Sequence, residues 1–217
     1  MFGTKVFEER KSKYNGNLRV VRSFGLGTYI QADGLTQSGG IVETFWRQTL
    51  KRIYNSRPSG CRQFTINNCL ILGLGGGTVA KLVKKNWKTA KVTGVDIDPL
   101  MIELGEKYLK FDRSQVEIKI GDALQLSQKL KEKGKKFDLI IIDLYNGDQF
   151  PKKFEDDKFI SLIRMILPGN GVAIFNRLYY KDKKIEAEKF GKRLQKVFKK
   201  VEYYRPVSNL MLICYNA

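Results

Sequence analysis

The chain has 217 residues, 42% of them hydrophobic, with 40 Lys and Arg against 22 Asp and Glu, no histidine and a formal net charge of +18. This is enough for one domain with a full core, whereas no apolar run approaches the ~20 residues of a membrane span and the opening MFGTKVFEERKSKYNG lacks the apolar stretch of a secretory signal. Without histidine, His-based catalysis and the usual zinc and iron centres are excluded, and the odd, widely spaced Cys61, Cys69 and Cys214 read as buried thiols of a reduced, cytoplasmic protein.

In chain order, LRVVRSF and TYIQA fit two strands joined around Gly25 and Gly27, with Asp33-Gly34 marking a second turn. Ile41, Phe45, Trp46, Leu50 and Ile53 then fall at helical spacing, and NSRPSGCRQ reads as a loop. Beyond it strands and helices alternate. NCLILGL is a strand and Thr78 to Trp87 a helix; AKVTGVDI is the next strand, after which Asp98-Pro99 opens a helix with an acidic cap and a proline at its first position. VEIKIGDA, the helical ALQLSQKLKEK and the nearly all-apolar FDLIIIDL follow, the last as expected of a strand covered on both faces. A helix in DDKFISLIRMIL, the strand GVAIFNR, a basic amphipathic helix over 184–199, and the strand pair VEYYRPV and LMLICYN complete the chain. The alternation predicts an α/β fold with a doubly wound, mainly parallel sheet, whose ligands bind beyond the carboxyl ends of the strands. The domain expectation is an N-terminal β-hairpin region at 1–40 followed by the sheet domain at 41–217.

Four strand ends carry the candidate site. The first ends in Gly73-Leu74-Gly75-Gly76-Gly77-Thr78, the second in Asp96-Ile97, the third in Gly121-Asp122-Ala123 and the fourth in Asp143-Leu144-Tyr145-Asn146. A glycine turn lets backbone approach a ligand closely, and an acid about 20 residues on accepts ribose hydroxyls. A carboxylate at Asp122 suits an adenine amino group. Equally, glycines mark tight turns and acids cap helices: Asp98 reads as such a cap, and Asp143 is either a general base or an organiser of its loop. The excess positive charge either steers an anionic partner such as nucleic acid or solvates lysine-rich helices.

Taken together, LILGLGGGTVAKLV, VTGVDIDPLMIELGEKYL, VEIKIGDALQL, FDLIIIDLYN and LPGNGVAIFN resemble the class I S-adenosylmethionine (SAM)-dependent methyltransferase superfamily, and within it the spermidine synthase-like branch; YIQADGLTQSGG is similar to the branch's N-terminal hairpin and DGxxQ segment. The resemblance implies a Rossmann-like seven-stranded sheet with a reversed last strand and a homodimer formed through the N-terminal hairpins. It also implies that Gly73, Gly75, Gly76 and Gly77 lie along the amino-acid part of the ligand, that Asp96 and Ile97 flank the ribose, and that Asp122 and Ala123 border the adenine. Asp143 and Leu144 fall near the reacting centre, and Gln37 on the ligand side. The branch's GGGDGG reads GLGGGT here, with Gly76 in place of an acid; Asn146 replaces a second acid and Trp46 a tyrosine, while Glu43 keeps one acid. These departures favour methyl transfer from SAM to an unidentified acceptor, with Asp143 as base. The alternatives are polyamine aminopropyl transfer from decarboxylated SAM, and a non-catalytic binding module for nucleic acid or protein with a vestigial pocket.

Overall fold

The computed structural model describes residues 3–55 and 65–216. Most of the stretch read as a loop, and Cys61 with it, lies outside the described residues. Four strands, β1 (Lys5–Ser12), β2 (Gly16–Ser23), β3 (Gly27–Ala32) and β4 (Leu35–Gly39), form an antiparallel sheet in sequential order. The sequence reading expected two of them. β1 escaped because KVFEERKS is exposed along almost its whole length and so carries no apolar alternation. The Ser12 hydroxyl ends the strand by accepting the N–H groups of Tyr14 (2.9 Å) and Asn15 (3.1 Å).

The second sheet has seven strands: β5 (Asn68–Leu72), β6 (Lys91–Asp96), β7 (Val116–Ile120), β8 (Leu139–Ile142), β9 (Val172–Leu178), β10 (Lys200–Tyr204) and β11 (Asn209–Tyr215). They are ordered β10-β11-β9-β8-β5-β6-β7, with β5 to β9 parallel. β11 runs antiparallel between β9 and β10, so the reversed last strand expected from the resemblance is present. Six α-helices accompany the sheets: α1 (Gly40–Asn55), α2 (Thr78–Asn86), α3 (Pro99–Leu109), α4 (Ala123–Glu132), α5 (Asp157–Met165) and α6 (Lys183–Leu194). The fold is thus the expected α/β one. α6 stops short of the predicted 199 because the chain turns at Leu194, whose carbonyl accepts the N–H of Phe198 (2.9 Å), and drops the Phe198 ring into the core.

The side chains of β8 show why its sequence is continuously apolar. Leu139 and Ile141 join the core beneath α1 and α2, whereas Ile140 and Ile142 join the opposite core with Phe159, Ile160, Ile163 and Phe190 of α5 and α6. Each fully buried aliphatic side chain is worth about 1.5–3 kcal/mol on transfer from water. A third cluster seats Leu18, Val20, Ile30 and Ala32 of the N-terminal sheet on Met101, Leu104 and Leu109 of α3. The thiols of Cys69 and Cys214 are free and buried, and burial pushes both up beyond ordinary cysteine values. No helix among the described residues is long and apolar enough to cross a membrane, and among them no His, Cys, Asp and Glu cluster could hold a metal ion.

Candidate active site

The carboxyl ends of β5, β6, β7 and β8 open onto one cavity of about 360 Å³. Of the residues singled out in the sequence, Gln37, Gly73, Gly75, Asp96, Ile97, Asp122, Ala123, Asp143 and Leu144 line it. Gly76 and Gly77 do not. A Cβ on Gly76 would lie 2.9 Å from both Ile30 Cδ1 and Leu109 Cδ1, in the seam with the N-terminal sheet. A Cβ on Gly77 would meet the Phe111 ring at 2.2 Å. The carboxylate missing at position 76 therefore points to apolar packing, and its absence says nothing about which ligand the cavity takes.

The glycine loop itself is closed on the protein. Gly73 and Leu74 donate their N–H groups to Val95 O (2.9 and 3.0 Å), and Gly77 donates to Leu74 O (3.0 Å). Gly75 donates to Asp96 Oδ2 (2.6 Å), and Gly76 to Ser38 Oγ (2.8 Å). The N–H groups of residues 73–77 thus all have acceptors within the protein, although the N-terminus of a helix is otherwise a ready site for an anion. Gly73 has φ +91°, and a Cβ there would stand 2.0 Å from Asp143 O, so both backbone conformation and space call for glycine.

Asp96 closes β6 with Oδ1 accepting from the Asp98 N–H (2.9 Å) and Oδ2 from Gly75. Although part of the residue shows on the cavity wall, the protein packed around its carboxyl pushes it up to about 6, against the pull of these backbone hydrogen bonds. Asp98 is buried and caps α3, as expected, through Oδ1 and the Leu100 N–H (3.0 Å). Its Oδ2 also accepts from Ser12 Oγ (2.5 Å) and Asn15 Nδ2 (2.7 Å), which pins the β1–β2 turn to the sheet domain. That turn brings Tyr14 and Asn15 into the cavity wall, a contribution invisible in the sequence because β1 itself was.

Asp122 serves both readings at once. It caps α4 by accepting from Leu124 and Gln125 N–H (3.0 and 3.1 Å), faces the cavity, and pairs with Lys153. Partial burial opposes its ionisation, but the Lys153 ammonium and the two backbone donors hold it below the usual carboxylate range. Lys153 is the only cationic side chain among the described residues lining the cavity. Across the sheet, three strand spacings or about 14 Å away, stands Asp143. Oδ2 accepts from the indole N–H of fully buried Trp46 (2.8 Å) and Oδ1 from Asn176 Nδ2 (2.7 Å), whose own Oδ1 accepts from Asn209 Nδ2 (2.8 Å). Burial raises the Asp143 carboxyl, partly offset by those two donors. Trp46 was read only as standing in place of a tyrosine, and Asn176 not at all; yet a buried indole N–H must find an acceptor, and that was the available signal for its bond to Asp143. Of the remaining acids, Glu43 lies outside the cavity lining and pairs with Arg47.

The spermine/spermidine synthase domain family matches residues 59–208. A polyamine aminopropyltransferase of Vibrio vulnificus is 31% identical over 108 residues, covering 49% of this chain and 36% of that protein. One from Pyrobaculum aerophilum is 28% identical over 177 residues, covering 76% of this chain and 57% of that protein. The chain thus spans about a third to just over half of the length of these two curated relatives. Among solved structures, a spermidine synthase in complex with the transition-state analogue AdoDATO superposes with a TM-score of 0.79, at 22% identity, over 98% of this chain and 74% of that one, which establishes the shared fold. The family match and the names of these relatives overturn the expectation of methyl transfer, as does the inward-facing position of Gly76 on which that expectation leaned. By the family match over most of its length, and with the fold and strand-end carboxylates to accompany it, the chain belongs to the spermine/spermidine synthase domain family.

Proposed function

We propose that this chain is an aminopropyltransferase that binds decarboxylated SAM and passes its aminopropyl arm to an amine. The observation that carries the reading is the electrostatics of the cavity. The glycine-loop N–H groups are spoken for, Lys153 is committed to Asp122, and the reacting end presents Asp143. A ligand carboxylate would meet no unpaired donor along that loop, whereas an ammonium-bearing arm would meet a fixed carboxylate. In this reading Asp96 accepts the ribose hydroxyls, Asp122 and Ala123 border the base, and Gln37 covers the arm from the β4 side.

The chemistry asks for alignment and one proton acceptor. The amine nitrogen attacks the arm carbon bonded to the sulfonium, and the carbon–sulfur bond breaks with its electron pair going to sulfur. A neutral thioether nucleoside leaves, and the new ammonium gives up a proton. Asp143 is the group placed to orient the amine and take that proton, its acceptor strength raised by burial. Parallel calorimetric titrations test the reading. Decarboxylated SAM is expected to bind about tenfold or more tighter than SAM, a difference of ~1.4 kcal/mol, and addition of putrescine or spermidine is expected to release methylthioadenosine. Tighter binding of SAM with no polyamine product would sink it.

A further inference from the structure

Arg177 is a buried cation that the chemistry above does not use. It lies in β9, its side chain is 4% exposed, and it does not line the cavity. Removing a guanidinium from water is costly unless its surroundings compensate fully. Three groups do so: Glu155 Oε1 at 2.7 Å, the Phe150 ring at 4.3 Å from its centroid, and the Phe190 ring at 4.8 Å. Two of the three, Phe150 and Glu155, sit on the segment that follows β8 and forms one wall of the cavity through Leu144, Tyr145, Asn146, Pro151, Lys153 and Phe154.

The residues on either side of Arg177 hold the same segment. Asn176 takes Asp143 through its amide and, through its carbonyl, accepts from the Tyr145 hydroxyl (3.1 Å); the Leu178 N–H donates back to that hydroxyl (2.8 Å). Phe150 in turn stands edge-on to Tyr145, with ring centroids 5.6 Å apart. Lifting the segment would strip Arg177 of its counter-ion and one aromatic face together while Phe190, on α6, kept it in the core. An apolar side chain of similar volume would fill this space without that dependence.

We propose that Arg177 is a positioning residue: its buried charge fixes the wall at 144–155 in place before any ligand arrives, and so sets where Tyr145 and Asn146 stand beside Asp143. The kinetic part of this inference rests on the aminopropyl-transfer reading; the structural part does not.

The test uses Arg177→Met, Arg177→Lys and Glu155→Gln in the full chain, digested with trypsin under native conditions and mapped by mass spectrometry. Lys152 and Lys153 are exposed on the segment and report its opening. When reclosing outpaces cleavage, the rate at those two sites tracks the open population. Cleavage there is expected to rise about tenfold in Arg177→Met and Glu155→Gln with other sites unchanged, and Arg177→Lys, which keeps the charge, is expected to recover part of the protection. In steady-state assays Arg177→Met raises the amine KM about fivefold or more with kcat within about twofold, the pattern of lost substrate positioning. Should Arg177→Met fail to fold, Glu155→Gln, whose carboxylate is partly exposed, carries the same expectation. Unchanged cleavage at Lys152 and Lys153, or acceleration at all sites alike, would overturn the proposal. Absence of aminopropyl transfer in the unmodified protein would remove the functional reading and leave the cleavage result to decide this one.

Discussion

Asp143 has one donor on each oxygen, and neither donor can turn into an acceptor, since an indole N–H and the amide end of Asn176 only donate. An Asp143→Asn variant must therefore set its own NH2 against one of them. Turnover is expected to fall about 100-fold or more, with native circular dichroism, as measured by the initial rate of thioether nucleoside release. Asp96 makes a pH prediction with its sign fixed by burial. Its carboxyl titrates at about 6 in the folded chain, above the usual carboxylate range, so nucleoside affinity is expected to drop as pH falls through 6 and ribose hydroxyls lose an ionised acceptor. Isothermal titrations from pH 8 to pH 5 check this, with Asp96→Asn giving a flat profile. Stability runs the other way: the folded state holds this proton more tightly than the unfolded one, so the group's unfavourable contribution, about 3 kcal/mol at neutral pH as an upper bound, is relieved as pH falls from about 6 towards about 4. Asp96, Asp122 and Asp143 were legible in the sequence because each lies at or within two residues of the end of its strand. Trp46 and Asn176, 97 and 33 residues away from Asp143 in the chain, meet it only through the packing of α1 and β9.

The loop between β5 and α2 shows what a glycine-rich element is for in this fold. Gly77 caps α2 at φ +78° with the Phe111 ring where a Cβ would be, so two separate constraints act on one residue. Gly77→Ala is expected to cost about 2–4 kcal/mol through strain and overpacking. Gly25, with φ +84° and nothing within 4 Å of where a Cβ would stand, offers the matched control, where alanine costs only about 1 kcal/mol of backbone strain. Urea denaturation of the two variants measures the difference. The sequence reading found this loop and the acids around it but not the acceptors of its N–H groups, because periodicity shows where a turn is and not what its donors face. The partners, Ser38 Oγ and Val95 O, belong to β4 and β6.

At the scale of the molecule, the alternation of apolar runs with amphipathic stretches was sufficient for the doubly wound sheet and for the terminal antiparallel pair. The four-stranded N-terminal sheet was only half legible, since its outer strand owes its place to pairing with β2 and to Glu8, which bonds Lys107 and Tyr108 of α3. The net charge of +18 is a property of the whole surface, and like charges so numerous repel one another in the compact state. Raising monovalent salt from about 20 mM to about 300 mM shortens the screening length below ~10 Å and is expected to raise Tm by a few degrees. Differential scanning calorimetry checks this, and a Tm that falls with salt would show instead that favourable ion pairs dominate.

The hydrogen bond from Trp46 to Asp143 also has an optical consequence. An excited indole is sensitive to charge at its N–H, and here the group it faces is the Asp143 carboxyl. The chain has one other tryptophan, Trp87, packed edge-on against Tyr54 outside the cavity lining. With Trp87 replaced by phenylalanine, the emission wavelength of Trp46 becomes an internal gauge of the electric state of Asp143, following its protonation and the arrival of a cationic ligand without any added dye.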